Sequence, residues 1–373
     1  PLEELINFKA YPVSEVLNKL LQDKTINKNI VFATDSYKER GYQESSQITE
    51  NSVSKFSDLE LQPRVYKDTK EQSDRTRKKA EVFTPIETCK EMNKLFTKEF
   101  SSDWKKSIDT TTLEIACGEA PFLVSRYDAV TGERKSIEER VGILDRKLKL
   151  VCENTDNEKD WLKYAKKAYK STYGYELQGD NLLIARINLL MTFCEYFLYK
   201  FNREADKKDI KAIAEIIAWN LWQMDGLKDT VPFGEPENDF VQLSFFDELE
   251  EKEEKSDCII KNWKTNKEIK FKSIKEGKEM KFDFVIGNPP YQENIDNRGE
   301  QPPLYHLFYD ASSKISDVVL LITPGRFLFD AGKTPSQWNQ KMLNDNHFQV
   351  LKYFEFSKDV FNSVDIKGGI AIG

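Results

Sequence analysis

Strand-like and helix-like segments alternate along this 373-residue chain from Thr110 onward. Apolar runs of five to eight residues predict strands, and longer segments with helix-spaced apolar residues separate them. This alternation is typical of a sheet of mainly parallel strands with helices on both faces. We therefore predict an α/β fold built on a doubly wound, mainly parallel sheet. The five predicted strands are residues 111–116, 171–177, 220–224, 282–287 and 317–324.

The predicted α/β domain covers residues 81–373 and follows an N-terminal extension, residues 1–80. The extension begins with helix-spaced Leu, Ile and Val and is predicted to be mainly helical. Insertions at residues 126–170 and 228–280 interrupt the domain. The second insertion holds an acidic run, predicted to be a solvated loop, and then two short strands around a Thr-Asn turn.

Composition argues against several classes of protein and site. A net charge of -7 and a pI near 5.3 argue against a protein that coats nucleic acid by bulk charge, so any such contact should be local. The five cysteines form no CxxC pair and there are two histidines, so we predict no disulfide framework and no metal site. Since we find neither a signal segment nor an apolar run of about 20 residues, we expect a cytoplasmic protein without membrane contact.

A basic stretch from Arg64 to Lys79 precedes the α/β domain. It holds seven Lys and Arg residues against three acids. A solvated surface and a contact with phosphates both explain such a stretch, and the sequence leaves both open.

Three of the predicted strands place small or acidic residues at their carboxyl ends, where open α/β sheets bind ligands. Glu114, Ala116 and Gly118 lie at the end of the first strand, and the small residues would let backbone approach a ligand. Glu176 ends the second strand and is suited to accept hydrogen bonds from both hydroxyls of a ribose. Asp225 follows the third strand and precedes a glycine. The first turn lacks the GxGxxG pattern, which argues against a dinucleotide site.

The tetrapeptide Asn288-Pro289-Pro290-Tyr291 follows the fourth predicted strand. Proline restricts φ and has no N–H, so the two prolines stiffen the loop and leave their carbonyls as acceptors. The Asn288 side-chain oxygen and the Pro289 carbonyl would then form two acceptors on a rigid frame. Such a pair suits an amino group on a planar ring that stacks on Tyr291. Accepting both N–H bonds would localise the nitrogen lone pair and aim it away from the loop, as a poor amine nucleophile requires.

The order of three motifs resembles the S-adenosylmethionine-dependent DNA adenine methyltransferases of restriction–modification systems. The motifs are "EVFTP" at residues 81–85, "LEIACGEAPFL" at 113–123 and "FDFVIGNPPYQ" at 282–292. The resemblance covers residues 80–373. Within this family, the chain looks most like the group of enzymes whose cofactor motifs precede the catalytic motif, which includes type I modification subunits and fused type II enzymes. It implies the Rossmann-like methyltransferase form of the doubly wound sheet.

The resemblance implies that Asn288, Pro289, Pro290 and Tyr291 receive a target adenine. The methyl group would pass directly to the exocyclic nitrogen, with no metal and no covalent enzyme intermediate. Because that nitrogen is inaccessible in a stacked duplex, the base would be flipped out of double-stranded DNA, the implied partner.

For the cofactor, S-adenosylmethionine, the resemblance implies a second set of residues. Glu176 would hold the ribose hydroxyls, and Asp225 would bind the adenine amino group. The methionine part and the turn around it would be lined by Phe83, Thr84, Pro85, Glu114, Ala116, Cys117 and Gly118.

The chain departs from the family pattern in its cofactor turn. Glu119 stands where a serine is usual, and Ala120 stands where a second glycine is usual, so its methyl group would lie where backbone approaches the cofactor. A target recognition domain would follow the last apolar pattern, residues 361–373, and is absent from this chain. We therefore expect either a recognition domain beyond it or a separate specificity subunit.

Two other functions stay open at this point. Methyltransferases acting on a protein glutamine or on an RNA guanine amino group also use Asn-Pro-Pro-Tyr. A fold of this type could also have lost its cofactor and serve only as a binding module. The Phe-Thr-Pro motif, the long insertions and the N-terminal extension favour DNA.

Overall fold

The computed structural model describes residues 5–55, 61, 63–67, 82–98, 100–234, 256–292, 302–361 and 366–373. Its helices, α1 to α11, are Val13–Leu21, Glu50–Lys55, Ile86–Thr97, Trp104–Asp109, Ile143–Asn154, Glu158–Lys170, Gly179–Phe201, Lys207–Asn220, Phe271–Lys275, Tyr305–Ile315 and Ser336–Leu343. Its strands, β1 to β11, are Gln22–Asp23, Lys28–Asn29, Thr112–Ile115, Thr172–Glu176, Leu221–Gln223, Ile259–Asn262, Lys267–Lys270, Phe282–Gly287, Ser316–Pro324, Lys352–Phe354 and Ile370–Ile372. Short 3-10 turns lie at Asp35–Arg40, Arg64–Tyr66, Arg326–Phe329 and Ser357–Asp359.

Seven strands form the central sheet in the order β10-β11-β9-β8-β3-β4-β5. The five from β9 to β5 are parallel, whereas β11 runs antiparallel to both β9 and β10. The chain adds β4 and β5 on one side of β3 and then returns to place β8 on the other side. The direction of connection therefore reverses between β3 and β8, which is where doubly wound folds bind ligands. The predicted fold class is confirmed.

All five predicted strands are present, and the fourth coincides with its predicted residues, Phe282–Gly287. The signal was strong because parallel strands covered on both faces carry continuous apolar runs, and Val285 and Ile286 are both fully buried. The apolar pattern near the C-terminus forms the antiparallel strand β11. Strand β10 was not predicted, because this three-residue edge strand is only partly covered and has no continuous apolar run.

The N-terminal extension is less helical than predicted. Besides α1, α2 and two 3-10 turns, its described residues form two-residue strands, turns and irregular segments. Tertiary contacts hold this irregular backbone. The Gln223 side chain, at the end of β5, accepts from the Val31 N–H at 2.9 Å and donates to the Val31 carbonyl at 2.7 Å. Leu20 and Phe32 are fully buried in the same hydrophobic cluster as α7 and α8, so the extension belongs to the core.

The two insertions differ in structure. The first contributes α5 and α6, and Trp161 of α6 packs against the rings of Phe193 and Phe197 of α7 at 5.7 and 5.4 Å between centroids. In the second, β6 and β7 pair antiparallel from Ile259↔Lys270 to Asn262↔Lys267, which confirms the predicted hairpin. The acidic run between them and β5 lies almost entirely outside the described residues.

Helix α7 corrects one expectation from the sequence. Its 23 residues are long and apolar enough to cross a membrane by length and composition, although we expected no such run. In this structure, however, 72% of its most apolar window is buried inside the protein. The helix is therefore apolar on most sides because other parts of the chain surround it.

Lys147, on α5, is a fully buried lysine that bonds to no carboxylate among the described residues. Its ammonium donates to the Thr110 carbonyl at 2.7 Å and to the Ser171 hydroxyl at 2.8 Å, which ties together the starts of β3 and β4. Burial lowers the pKa of Lys147 to about 7. Between this value and its ordinary pKa near 10.5, the unfolded chain binds one more proton, so stability rises with pH over that window.

We therefore expect the Lys147→Met variant to lose this pH dependence. Because each pKa unit corresponds to about 1.4 kcal/mol, the wild-type free energy of unfolding should gain roughly 2 kcal/mol relative to the variant between pH 7 and 9. Urea unfolding of both proteins across this range measures the difference. A difference that stays constant with pH would contradict the assignment.

Candidate functional site

The loops at the carboxyl ends of β3, β4 and β8 surround a cavity, which we call the turn cavity. Nine residues predicted from the sequence line it: Phe83, Thr84, Glu114, Ala116, Cys117, Gly118, Glu176, Asn288 and Pro290. They come from positions far apart in the chain and meet because parallel strands end at the same edge of the sheet. Five further lining residues were missed by the sequence: Val82, Pro121, Phe122, Gln178 and Asn181.

The turn after β3 has a strained backbone. Ala116, Gly118 and Ala120 have φ angles of 44°, 53° and 63°, in the left-handed region that costs an L-residue about 1–2 kcal/mol. Hydrogen bonds hold this conformation, because the Cys117 N–H donates to the Tyr175 carbonyl at 2.9 Å. Residues in such regions cluster at functional sites, where surrounding structure maintains the strain.

Two carboxyl groups brace the same turn. Glu114 is 1% exposed and accepts hydrogen bonds from the N–H groups of Phe122 and Leu123. Burial, and to a smaller degree the nearby charge of Glu176, raise the pKa of Glu114 well above its ordinary value. Glu176 accepts from the N–H of Gly118 at 2.8 Å and from that of Gln178 at 3.0 Å. The two acids therefore orient the backbone that lines the cavity and also face it.

The Asn288 side chain is oriented by two acceptors. Its Nδ2 donates to the Val82 carbonyl at 3.0 Å and to the Thr84 hydroxyl at 3.2 Å. A carbonyl can only accept, so the amide nitrogen faces Val82 and the amide oxygen faces the opposite way. That oxygen, Oδ1, is buried and has no hydrogen-bond partner among the described residues. A buried unpaired acceptor is costly, and such groups occur where a ligand completes the bonding.

The last residue of the tetrapeptide lines a second cavity. Tyr291 is 7% exposed and lines a cavity of about 290 Å³ together with Gln292, Pro303, Tyr305, Pro324, Arg326 and Lys333. We call it the Tyr291 cavity. No hydrogen bond between described residues reaches the Pro289 carbonyl. The tetrapeptide thus separates two cavities, with Asn288 and Pro290 lining one and Tyr291 lining the other.

Two residues predicted to bind the cofactor do not line the turn cavity. Pro85 directly precedes α3 and acts as its N-terminal boundary. Asp225 lies beyond β5, where its carboxylate accepts from the N–H groups of Leu227 and Lys228 at 3.0 and 3.3 Å. In this structure its carboxylate therefore stabilises its own turn.

The N-terminal extension also reaches the site. The Arg64 guanidinium lies 4.9 Å from the centre of the Phe83 ring, and the Arg64 N–H donates to Glu119 at 2.6 Å. Glu119, unusual at its position, also accepts from the Tyr127 hydroxyl at 2.8 Å. The sequence shows that Glu119 is atypical at its position. It does not reveal the contact with Arg64, because the two residues are 55 positions apart and no local pattern links them.

Two members of the basic stretch are therefore used inside the protein. Arg64 is 7% exposed, and Lys67 forms an ion pair of 3.1 Å with Asp180, both side chains being at most 1% exposed. Neither residue fits the solvated surface or the phosphate contact that the sequence left open. Residues 68–79, which hold the other five basic residues, lie outside the described residues.

Comparison with known proteins agrees with this geometry. A family model described as Eco57I restriction-modification methylase matches residues 170–361, which is more than half of the chain. The chain belongs to this family. The segment of this chain that matches the Eco57I methylase family includes β4, the tetrapeptide and the described residues that line the Tyr291 cavity. The turn after β3 precedes the matched segment.

Individual relatives are more distant. A Mycoplasma pneumoniae protein described as an uncharacterized adenine-specific methylase is 30% identical over 95 residues, which are 24% of this chain and 22% of that protein. A nuclease-deletion mutant of the Type ISP restriction-modification enzyme LlaGI, solved with a DNA substrate mimic, matches 96% of this chain at 16% identity and a TM-score of 0.45. The DrdV–DNA complex matches 98% at 13% identity and a TM-score of 0.43. This chain spans less than a third of each of these relatives.

A methylase of the Eco57I family requires a methyl donor, and the turn cavity has suitable groups. The Glu176 carboxylate can accept hydrogen bonds from hydroxyl groups of a ligand. Gly118 leaves the face of the Phe83 ring accessible, since a β-carbon at position 118 would lie 3.6 Å from that ring and cover it. The cavity is narrow, about 70 Å³, whereas cofactor sites measure about 300–1,000 Å³. The donor set fits a nucleoside-bearing methyl donor, and the walls must part to admit it.

The structure also shows where the Ala120 methyl group lies. Ala120 is fully buried in the hydrophobic cluster and does not line the turn cavity. In the Ala120→Gly variant, relief of left-handed strain and loss of one buried methyl group each amount to about 1 kcal/mol and oppose one another. We expect stability to change by less than about 0.5 kcal/mol and cofactor affinity to stay within about twofold.

The matched control for Ala120→Gly is Ala165→Gly in α6, where an equally buried alanine has ordinary helical geometry. With no strain to relieve, this variant should lose about 1 kcal/mol or more. Thermal unfolding and calorimetric titration with the cofactor measure both effects. A large affinity change in Ala120→Gly alone would place the methyl group near the cofactor.

Proposed function

We propose that this chain is the catalytic part of an S-adenosylmethionine-dependent DNA adenine-N6 methyltransferase of a restriction–modification system. The observation that carries the proposal is the buried, unpartnered Oδ1 of Asn288, held in place by Val82 and Thr84 between two cavities. One cavity has groups suited to a methyl donor, and the other has an aromatic wall suited to a planar base. Family membership supports methyl transfer as the reaction class.

The chain's own groups account for the activation of the amine. Asn288 Oδ1 and the Pro289 carbonyl would each accept one N–H of the adenine amino group. This takes both protons into hydrogen bonds and directs the nitrogen lone pair toward the turn cavity. S-adenosylmethionine, when bound, supplies a methyl group on a positively charged sulfur. The described residues that line the Tyr291 cavity include no carboxylate, and we expect the proton released from nitrogen to leave to water.

The substrate class follows from the position of Asn288. Because its Oδ1 is buried, an adenine stacked in duplex DNA cannot reach it, so the base must be flipped out at a cost of a few kcal/mol. Contacts with double-stranded DNA must offset that cost. We expect these contacts to come partly from a recognition domain or a specificity subunit outside this chain, and we expect the protein to act in the cytoplasm, where DNA is accessible.

A tritium-transfer assay tests the proposal. The protein, with labelled S-adenosylmethionine, is offered double-stranded DNA, RNA and protein in parallel, and the labelled product is digested to identify the modified group. We expect label in N6-methyladenine from DNA. Label in RNA or in protein glutamine alone would favour the other methyltransferase functions and contradict this one.

The binding-module alternative makes a different prediction. If the turn cavity had lost its ligand, calorimetry with S-adenosylmethionine would show no heat even at about millimolar concentration, close to the weakest binding that such titrations detect. Binding without transfer to any substrate would instead indicate that this chain lacks a required partner. Adding the complete restriction–modification complex to the assay separates these two cases.

A further inference from the structure

One wall of the Tyr291 cavity has no part in the chemistry described above. It is formed by Pro324 and Arg326, which follow β9 directly. Strand β9 lies parallel to β8, with Leu321 opposite Gly287, so its end stands beside the start of the tetrapeptide. The connection places Arg326 in the lining of the same cavity as Tyr291.

The described residues that line this cavity carry a net positive charge. They include two cations, Arg326 and Lys333, and no acid. The remaining lining residues are two tyrosines, two prolines and one glutamine. A cavity of about 290 Å³ with an aromatic wall and a cationic wall is suited to a ligand with a planar ring and an anionic group. A nucleotide has both.

The Arg326 side chain is held in position from two directions. A β-carbon on Gly332 would overlap Cδ of Arg326, and one on Gly368 would lie 2.7 Å from Cβ of Arg326. Both glycines also have positive φ angles, so these two segments press on the aliphatic part of Arg326 with bare backbone. Such contacts restrict the rotamers of the side chain before any ligand binds, which lowers the entropic cost of binding.

One N–H group of the Arg326 guanidinium is not used in a hydrogen bond between described residues. Nε of Arg326 is buried and makes no hydrogen bond within the part of the chain that the structure describes. The Tyr291 hydroxyl is likewise buried without a partner there. A planar guanidinium with an unused N–H can bind a phosphate through two parallel hydrogen bonds.

We propose that Arg326 binds a backbone phosphate of the flipped target nucleotide while the base lies against Tyr291. The inference rests on the function proposed above and adds to it a substrate-binding residue that acts on the DNA backbone. The phosphate contact would hold the nucleotide outside the helix while Asn288 holds its amino group. Two fixed points at opposite ends of one nucleotide orient the base more strictly than stacking alone.

The test uses duplexes with one neutral linkage. DNA methylated by the wild-type protein, in its complete complex if one is required, is first sequenced to locate the modified adenine. Duplexes are then made with a methylphosphonate on the 5′ or the 3′ side of that adenine. Single-turnover methylation and the salt dependence of binding are measured for wild type, Arg326→Gln, Arg326→Lys and the surface control Arg203→Gln.

We expect Arg326→Gln to methylate ordinary DNA about 10- to 100-fold more slowly, the range typical of hydrogen bonds to charged groups. The slope of log affinity against log salt should fall by about one. One of the two methylphosphonates should slow wild type by a similar factor and leave Arg326→Gln no slower than it already is. Arg326→Lys should keep the sensitivity to that linkage, and Arg203→Gln should behave as wild type.

Two results would overturn the inference. The first is a wild type insensitive to both methylphosphonates, a result that does not depend on whether any variant folds. The second is an Arg326→Gln variant that keeps the wild-type sensitivity and salt slope, which would make Arg326 a structural residue. Failure of the proposed function is distinguishable from both, because wild type would then methylate no adenine in any DNA.

Discussion

Replacing Asn288 with alanine is expected to reduce methyl transfer by about a thousandfold, the scale seen when one preorganised hydrogen-bonding group is removed from an active site. The substitution removes the only side-chain amide of the tetrapeptide, whose Oδ1 is buried and has no partner among the described residues. Cofactor affinity should change by no more than a few-fold, because Phe83, Glu176 and the turn after β3 are untouched. Single-turnover transfer and calorimetry measure the two quantities separately.

Two further variants test whether methyl transfer requires the orientation of the Asn288 side-chain amide or only the presence of an oxygen at that position. Thr84→Val removes one of the two acceptors that orient Asn288 and leaves the Val82 carbonyl, so we expect a loss of about tenfold. Asn288→Asp keeps an oxygen toward the target but puts the second oxygen against that carbonyl, and it should be nearly as inactive as Asn288→Ala. If Asn288→Ala lost cofactor binding and stability together with transfer, the loop would have a structural role instead.

Replacing Arg186 with methionine is expected to give the largest loss of stability, about 3 kcal/mol or more. Arg186 lies in α7, is fully buried and hydrogen-bonds to no carboxylate in the part of the chain that the structure describes. Its guanidinium donates to the carbonyls of Leu20, Gln22, Ala218 and Leu221, the shortest of these bonds being 2.6 Å. The side chain therefore joins the end of α1 to the connection between α8 and β5. Burial lowers the pKa of Arg186 to about 10, so it is still charged at neutral pH.

The matched control is Arg203→Met. Arg203 lies two residues after the C-terminal end of α7, the helix that contains Arg186. Arg203 is 44% exposed and pairs with Glu158 at 2.7 Å, and exposed pairs contribute about 0–1 kcal/mol. Urea unfolding of the two variants compares a buried and an exposed arginine with the same substitution. Equal losses would show that the carbonyl contacts of Arg186 contribute little beyond its packing.

The sheet and the tetrapeptide loop could be predicted from the sequence because both depend on short-range patterns. Buried parallel strands need continuous apolar runs, and the five runs that predicted strands all form them. The tetrapeptide was recognisable for a similar reason, since two prolines between an amide and a phenol have few purely structural uses. Nine of the thirteen predicted site residues line the turn cavity, and Tyr291 lines the neighbouring one.

What the sequence missed depends on contacts between distant positions. The extension looked helical from its first apolar spacing, but Gln223 and the core around Phe32 hold much of it as irregular backbone. Asp225 looked equivalent to Glu176 because both end a strand. The two differ because Glu176 reaches the backbone of the neighbouring β3 turn, whereas Asp225 bonds to its own turn.

By itself the sequence determined the fold class, the positions of the parallel strands along the chain and the tetrapeptide that follows the fourth predicted strand, because periodicity and proline chemistry act over a few residues. Only the tertiary structure decided which way the Asn288 amide points, that the basic residues Arg64 and Lys67 are used internally, and that Arg326 and Tyr291 line the same cavity. Each of these depends on a partner between 55 and 206 positions away or on a neighbouring strand. No local pattern encodes such partners, because folding brings them together through the packing of the whole sheet and its helices.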